Sequence, residues 1–181
     1  SNVLDGKQIL LRCPWPISGE KPEEVSLTEE EACDAAVTLY QEENTALHLL
    51  PKALTLGVGC RKGTSQTALE NAYAALLAEQ NFAPEAFVQA ASIDLKANEP
   101  GLLAFCMAHG WELKTYSAEE LSKLPGDFTP SPFVAQITGV DNVCERAAVR
   151  ASGGHLIRKK WKGAGVTFAV ALAPVHFDWR W

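Results

Sequence analysis

Two segments of the sequence combine glycines, cations and carboxylates in a way that could bind an anion and activate water. The first is a glycine-rich loop with two cations, and its candidate binding residues are Gly57, Gly59, Cys60, Arg61, Lys62, Gly63, Thr64 and Ser65. Glycine lets a ligand approach the backbone, and the helix that follows would direct free N–H groups and its positive dipole end at the loop. Such a loop suits a carboxylate or a phosphate. It is equally compatible with a strand-to-helix turn that exposes two solvated bases.

The second segment, Ser92–Gly101, contains the candidate catalytic residues Asp94, Lys96 and Glu99. A carboxylate at the end of a strand can act as a general base, and a lysine can hold an anion. A structural interpretation also fits, in which Asp94 satisfies backbone donors, Lys96 pairs with a neighbouring acid and Glu99 complements a helix dipole.

A third segment places a sharp turn at Thr138 and Gly139 and a helix after it that carries Glu145. Thr138, Gly139 and Glu145 are therefore further candidates for substrate binding. Glu145 could face a site, although an interaction with the helix dipole is the commoner role for an acid in a first turn.

The glycine-rich loop matches no nucleotide-binding signature. The dinucleotide fingerprint requires its third glycine one place earlier, and a P-loop requires Gly-Lys-Thr where this chain has Lys62-Gly63-Thr64. A phosphate- or nucleotide-binding domain remains an alternative that rests on the loop's general chemistry.

Cysteines and histidines show no metal-binding spacing. The five cysteines are odd in number and scattered, and the four histidines form no ligand pattern. We therefore expect no metal or cofactor held by the protein itself, and a reducing, cytoplasmic setting. Cys60 lies beside two cations at a helix start, where a thiolate would be stabilised, but no partner histidine is identifiable and we expect it to be passive.

The charge balance disfavours nucleic-acid and membrane partners. The formal net charge is −6, with 47% apolar and 21% charged residues. The basic and aromatic segment Arg158–Lys162 is interpreted as a solvated hairpin tip rather than a nucleic-acid contact. The sequence shows no signal peptide and no apolar run long enough to span a bilayer.

Alternating strands and helices must position these loops. Predicted strands span Ala53–Val58, Phe87–Ile93, Trp111–Tyr116, His155–Lys160 and Val166–Ala173, and predicted helices follow Gly63 and Ser117, span Pro100–His109, and run from a cap at Asp141 to about Ala151. The pattern predicts an α/β fold of three layers, with a mostly parallel sheet and a C-terminal antiparallel hairpin at one edge. Ligands bind beyond the carboxyl ends of the strands in such sheets, so we expect the site in the loops after Val58, Ile93 and Tyr116.

The first 51 residues differ from the rest. Apolar residues at helical spacing predict a helix over Leu27–Glu43, and Pro51 marks a boundary. We interpret residues 1–51 as a linker-type segment, the tail of a preceding region with one helix, and residues 52–181 as the α/β domain. We expect the chain to be part of a longer protein. The aromatic tail that ends in Trp181 is interpreted as packed, with a docking surface as the alternative.

Taken together, the loops resemble one known family. The segments that carry the resemblance are Gly57–Ser65, Ser92–Leu102, Tyr116–Leu121, Thr138–Ala148 and Val166–Ala171, in this order. They are similar to the C-terminal domain of the cobalt-precorrin-5A hydrolase (CbiG) family of anaerobic vitamin B12 synthesis, which the CobE proteins of the aerobic route share. The resemblance covers residues 53–173, and its most specific part is the Asp-x-Lys-x-x-Glu-Pro-Gly segment.

The resemblance implies a reaction and a ligand. The hydrolase opens a δ-lactone on the macrocycle and releases acetaldehyde, and its substrate is a cobalt-bearing tetrapyrrole ringed with carboxylates. Cobalt would therefore arrive with the substrate. Asp94 or Glu99 would be the candidate base, and Lys96 or the amides of residues 59–65 the candidate stabiliser of the oxyanion.

The chain also departs from the family pattern. Hydrolases of this family carry a separate N-terminal domain, whereas about 50 residues precede the first glycine loop here. Expected partners are thus a polyanionic tetrapyrrole and either such an N-terminal domain or other cobalamin-pathway enzymes. The alternatives are a non-catalytic module that holds or carries a corrin intermediate, as in CobE, and a protein-interaction domain that uses the aromatic tail.

Overall fold

The computed structural model describes residues 7–43, 46–131 and 142–180. The chain forms two compact units. The large unit is Lys52–Pro174, and the small unit combines Ser1–Pro51 with Val175–Trp181.

The described strands and helices are as follows. The strands are β1 (Ile9–Arg12), β2 (Ile17–Ser18), β3 (Val25–Leu27), β4 (Ala35–Val37), β5 (Leu47–Leu49), β6 (Leu54–Cys60), β7 (Phe87–Ile93), β8 (Glu112–Tyr116), β9 (His155–Gly163), β10 (Val166–Leu172) and β11 (Phe177–Asp178). The helices are α1 (Gln66–Gln80), α2 (Pro100–Ala108), α3 (Ala118–Ser122) and α4 (Val143–Ser152), and 3-10 turns span Pro84–Ala86 and Asp94–Lys96.

The large unit is built on a five-stranded sheet with the order β8-β7-β6-β10-β9. Strands β6, β7 and β8 are parallel, whereas β10 is antiparallel to both β6 and β9. The central strand β6 is apolar along most of its length and buried from Leu54 to Val58, as expected for a strand that is covered on both faces. The expected α/β fold, with a mostly parallel sheet and an antiparallel hairpin at one edge, is confirmed.

Helices cover both faces of this sheet. On one face, Tyr73 of α1 makes an edge contact with Phe87 of β7, with ring centroids 5.5 Å apart. Phe87 pairs with Leu54, so these two side chains lie on the same face of the sheet. Leu54 is three residues from Gly57, and because successive residues of a strand alternate between faces, Gly57 lies on the opposite face. Helix α4 lies on the face of Gly57, where a Cβ atom would come within 1.9 Å of the carbonyl oxygen of Cys144. The expected three layers are thus present.

The hairpin between β9 and β10 turns at Ala164 and Gly165, whose φ values are 51° and 77°. Two successive residues with positive φ are typical of the tight turns that match the twist of a hairpin. Strand β9 continues to Gly163, so Arg158–Lys162 lies within a strand, and the expectation of a solvated tip is wrong. Trp161 is only 7% exposed, and its Nε1 donates a hydrogen bond of 2.6 Å to Oε2 of Glu79.

The small unit contains a parallel sheet with the order β3-β1-β4-β5, and β11 pairs with β2. The helix expected over Leu27–Glu43 is wrong, because this stretch contains the end of β3 and all of β4. Leu11 of β1 pairs with Leu27 on one side and with Ala35 on the other. Ala35 and Ala36 of β4 in turn pair with β1 on one side and β5 on the other, and these tertiary contacts override the helical propensity of alanine.

Two capping predictions have different outcomes. The capping box expected at Ser117 and Glu120 is present. Helix α4 is capped by Asn142 rather than by Asp141, because the Oδ1 atom of Asn142 accepts a hydrogen bond of 2.9 Å from the backbone N–H of Glu145. Across the described ranges, every helix is too short or too polar to cross a membrane.

Candidate functional site

Two of the predicted loops meet at one edge of the large unit. Strand β6 ends at Cys60 and its parallel neighbour β7 ends at Ile93. The loops that follow them leave the same edge of the sheet, because the carboxyl ends of parallel neighbours lie side by side. The glycine-rich loop and the turn at Asp94–Lys96 are therefore adjacent, although they are more than 30 residues apart in the sequence.

Glu99 joins the two loops. Its Oε2 accepts a hydrogen bond of 2.8 Å from the backbone N–H of Gly63, and its Oε1 lies 3.0 Å from Nζ of Lys96. The side chains of Glu99 and Lys96 are 11% and 15% exposed. The hydrogen bond from Gly63, followed by the interaction with Lys96, lowers the pKa of Glu99 below its ordinary value. Glu99 is thus ionised and accepts two hydrogen bonds. It is a poor proton acceptor, and it holds the two loops together.

The first turns of two helices also come together at this edge. Ser65 caps α1, since its Oγ accepts a hydrogen bond of 3.2 Å from the N–H of Ala68. A Cβ atom on Gly101, in the first turn of α2, would lie 2.1 Å from the carbonyl oxygen of Thr64. The glycine therefore allows α2 to pack directly on the start of α1, and both positive helix ends face the loop region.

The two cations of the glycine-rich loop are open to solvent. Arg61 and Lys62 are exposed, and within the described part of the chain neither forms an ion pair or a side-chain hydrogen bond. The loop is held from its backbone instead, because Thr64 Oγ1 donates a hydrogen bond of 2.9 Å to the carbonyl oxygen of Arg61. Both cations are therefore available to an anionic ligand.

Cys60 lies at the base of the same loop. Burial raises the pKa of its thiol, and the nearby Lys96 opposes this shift without cancelling it. The thiol is therefore protonated at neutral pH, which agrees with the passive role expected from the sequence.

Asp94 differs from Glu99 in its surroundings. It is exposed and begins the turn at the end of β7, where its carbonyl oxygen accepts a hydrogen bond of 2.9 Å from the N–H of Ala97. No group in the described ranges donates a hydrogen bond to its carboxylate. Of the two candidate bases, Asp94 is the one whose carboxylate has no hydrogen-bond donor among the described residues.

Glu145 lies in the protein interior rather than at an open site. It is fully buried, and its two carboxylate oxygens accept hydrogen bonds from the backbone N–H groups of Thr129 (2.8 Å) and Lys160 (2.7 Å). Glu145 thus connects helix α4 to the loop that contains Thr129 and to strand β9. Thr138 and Gly139, like Trp181, lie outside the described residues.

Gly57 and Gly59 lie in the sheet rather than in the loop. Gly57 allows the close approach of α4, and a Cβ atom on Gly59 would lie 2.4 Å from Oγ1 of Thr167. The Thr167 hydroxyl also donates a hydrogen bond of 3.1 Å to the carbonyl oxygen of Gly59. The first two glycines of the motif therefore serve packing, and Gly63, whose φ is +74°, shapes the turn.

A shallow depression at the opposite edge of the sheet does not resemble this site. It is lined by Lys52, Glu85, Trp111 and His109 among others. His109 stacks on Trp111 with ring centroids 4.5 Å apart, and its Nε2 lies 3.0 Å from a carboxylate oxygen of Glu70, so this nitrogen already has a protein partner. In the described ranges, no group of three or more His, Cys, Asp or Glu side chains is arranged to hold a metal ion.

We expect Glu99→Gln to lower the free energy of unfolding at pH 7 by about 1–3 kcal/mol, because a charged hydrogen bond and a partly buried ion pair are lost. The pKa of Glu99 is lowered on folding, so its stabilisation is present above its ordinary pKa and is lost as the pH falls through the lowered value. The difference between variant and parent should therefore shrink as the pH falls below the ordinary pKa of a glutamate. Urea unfolding at pH 7 and at a series of acidic pH values measures this.

Glu85→Gln is the matched control, because Glu85 is exposed in the turn at the other end of β7. An equal loss of stability for both variants, or a loss for Glu99→Gln that does not change with pH, would contradict the bridging role.

Comparisons with known proteins agree on one family. A family model described as "Cobalamin synthesis G C-terminus" matches residues 54–171. The chain is 38% identical over 133 residues to a cobalt-precorrin-5A hydrolase of Priestia megaterium, covering 73% of this chain and 35% of the relative. It is 33% identical over 125 residues to the enzyme of the same name from Salmonella typhimurium, covering 69% and 36%. The chain thus spans about a third of the length of these curated relatives.

Solved structures show the same relationship. The chain is similar to CobE, a protein from the cobalamin (vitamin B12) biosynthetic pathway, with a TM-score of 0.61 and 27% identity, covering 67% of this chain and 91% of CobE. It shares its fold with a cobalamin biosynthesis protein G homolog from Sulfolobus solfataricus, with a TM-score of 0.57, 18% identity and coverage of 94% and 52%. Since the family match spans well over half of the chain and nearly all of the large unit's sheet, the protein belongs to the Cobalamin synthesis G C-terminus family.

Proposed function

We propose that the large unit binds a polycarboxylate tetrapyrrole of cobalamin biosynthesis and forms the C-terminal part of a cobalt-precorrin-5A hydrolase. One observation carries the proposal. The bridge through Glu99 brings Lys96 and the loop of Arg61 and Lys62 into one cationic site, with the unbonded carboxylate of Asp94 beside it. A ligand ringed with carboxylates suits such a site, because charge-assisted hydrogen bonds are the strong ones.

The site has the groups that opening of a lactone requires. In this reaction a water oxygen attacks the lactone carbonyl carbon and a base takes the proton of the water. The ring C–O bond then breaks, and the base returns the proton to the oxygen that leaves, which gives a carboxylic acid and an alcohol. Asp94 is the proposed base, because its carboxylate is exposed and makes no hydrogen bond with the described residues. Lys96 uses one of its N–H donors on Glu99, so two remain for the oxyanion that develops on the carbonyl oxygen.

Glu99 is a positioning residue in this proposal. It holds Lys96 and the N–H of Gly63 in place without contacting the substrate. Preorganised donors of this kind stabilise a transition state more than flexible donors do, because they need no reorganisation during the reaction.

A second function is favoured by a different observation. The chain covers 91% of CobE but only 35% of the Priestia megaterium hydrolase. The alternative proposal, based on the similarity to CobE, is that the large unit holds or carries a corrin intermediate without catalysis. The hydrolase proposal then requires a further domain, of the kind that the longer relatives have room for, as its partner.

The proposed compartment is the reducing cytoplasm. All five cysteines, at positions 13, 33, 60, 106 and 144, are free thiols. Free thiols are typical of proteins that work in reducing compartments. The cobalt of the proposed ligand is part of the substrate.

The test is to mix the protein with cobalt-precorrin-5A in the absence of oxygen, and to follow the absorbance of the macrocycle and the release of acetaldehyde in one tube. A spectral change with acetaldehyde supports the hydrolase. A spectral change alone shows binding. Acetaldehyde that then appears when the rest of a longer relative is added supports the hydrolase, and its absence after that addition supports the carrier module. No spectral change contradicts both, and binding of nucleotides instead would favour a phosphate site.

A further inference from the structure

One leucine of the large unit is exposed in the middle of the charged loop region. Leu95 lies between Asp94 and Lys96 and is 63% exposed. Single exposed apolar residues are common on protein surfaces and need no special explanation. The position of Leu95 is unusual because the backbone of its turn and the neighbouring Lys96 are held by hydrogen bonds, while the leucine side chain is left uncovered.

The backbone around Leu95 is fixed from both sides. On one side, Asp94 follows directly from the buried end of β7, and its carbonyl oxygen closes the turn through the N–H of Ala97 at 2.9 Å. On the other side, Lys96 is 3.0 Å from Glu99, which is bonded to Gly63. The turn is therefore fixed by hydrogen bonds on both sides, and the leucine side chain extends from it into solvent.

The cations next to this turn restrict the chemistry of a ligand that could cover Leu95. Lys96 is on the same turn, and Arg61 and Lys62 belong to the loop that Glu99 attaches to it. A ligand that used only anionic groups would leave the leucine in water. A ligand with an apolar face and an anionic rim would bury the leucine and neutralise the cations together.

We infer that Leu95 is the apolar contact for the face of the tetrapyrrole ring, while Arg61, Lys62 and Lys96 bind the carboxylates at its rim. This assignment rests on the proposed function, and it adds a residue that selects for the macrocycle itself rather than for its charge. A free phosphate or a small carboxylate has no face for Leu95 to cover, so Leu95 contributes discrimination against such ligands.

The expected effect follows from the area that a leucine buries. Full burial of this side chain against an apolar surface corresponds to a change in affinity of roughly tenfold to hundredfold. Leu95→Ser should therefore weaken binding of cobalt-precorrin-5A by about that factor. Leu95→Met, which keeps an apolar side chain of similar volume, should bind within about threefold of the parent protein, because such exchanges are tolerated.

The experiment is an anaerobic titration of each protein with cobalt-precorrin-5A, read from the absorbance of the macrocycle at several salt concentrations. Met107→Ser is the matched control, because Met107 is 79% exposed on α2 in the last turn, away from the loops. We expect the control to bind as the parent does. We also expect Leu95→Ser to keep the parent's salt dependence, since the cations are unchanged.

The possible results test the contact of Leu95 with the ring face separately from tetrapyrrole binding as such. If the parent binds and Leu95→Ser binds equally well, or if Leu95→Met loses as much affinity as Leu95→Ser, the contact with the ring face is wrong while tetrapyrrole binding stands. If the parent gives no spectral change at all, the proposed function fails and this inference fails with it.

Discussion

Asp94→Asn should lower the rate of acetaldehyde release by about 10²–10⁴-fold, which is the usual contribution of a general base. The measurement requires a form of the protein that turns over, either this chain alone or together with the rest of a longer relative. Asparagine has the shape of aspartate but cannot take a proton from water. Since the Asp94 carboxylate makes no hydrogen bond with the described residues, the substitution should leave the fold and the binding of cobalt-precorrin-5A nearly unchanged.

Two comparisons separate a base from a merely nearby charge. Glu85→Gln removes a carboxylate at the opposite end of β7, and it should keep the full rate. The anaerobic titration of Asp94→Asn should give an affinity close to that of the parent, so that the loss lies in the rate and not in binding. An undiminished rate for Asp94→Asn would remove this residue from the base role. An equal fall for both variants would show that only net charge matters.

The adjacency of the two loops that form the candidate site could be predicted from the sequence, because it depends only on topology. Apolar strands that alternate with helices predict a parallel sheet, and parallel neighbours bring their carboxyl ends to one edge. The loops after β6 and β7 therefore had to be adjacent. Arg61, Lys62 and Lys96 could be placed near each other by this reasoning alone.

The separate roles of the two acids could not be predicted in this way. Asp94 and Glu99 are five residues apart and carry the same group, so their spacing does not show which one is bonded. The difference arises because the N–H of Gly63 and the ammonium group of Lys96 donate hydrogen bonds to Glu99, whereas no described group donates one to the carboxylate of Asp94. A contact between residues 36 positions apart depends on the tertiary fold, which local patterns do not contain.

Glu145 shows the same limit on prediction from local sequence. As an acid in the first turn of α4 it suits the helix dipole, and this role can be inferred from sequence. Its two bonds to the backbone N–H groups of Thr129 and Lys160 depend on a loop and a strand that lie elsewhere in the chain. The helix expected over Leu27–Glu43 is wrong for a related reason, since Ala35 and Ala36 pair with strands on either side.

Gly57→Ala should be among the most destabilising single substitutions in the large unit. Its Cβ atom would lie 1.9 Å from the carbonyl oxygen of Cys144 and 2.8 Å from Cβ of Ala148. The nearest of these atoms belongs to the backbone of α4 and cannot rotate away, so the helix would have to move as a whole. We expect a loss of about 3 kcal/mol or more in the free energy of unfolding, at the upper end of what overpacking costs.

The sensitivity to added side-chain volume is not confined to Gly57, because a row of small residues lies in the sheet beneath α4. Gly57 pairs with Ala91 of β7 on one side and with Ala169 of β10 on the other, and both alanines are fully buried. A methyl group added to this row would separate α4 from the sheet. Since α4 carries the buried Glu145, the displacement should also loosen the contacts of that carboxylate with strand β9.

Gly110→Ala is the control that separates steric overlap from backbone strain. Gly110 has a φ of +67°, but a Cβ atom there would meet no other atom within 4 Å. Its replacement should cost only the backbone strain of about 1–2 kcal/mol. Thermal unfolding should therefore show a decrease in Tm of about 6–12 °C for Gly57→Ala and a clearly smaller decrease for Gly110→Ala. If the two variants unfold at the same temperature, α4 can move away from the sheet more easily than the 1.9 Å distance to the Cys144 carbonyl oxygen implies. Close packing against Gly57 would then not be what fixes the position of the helix above β6.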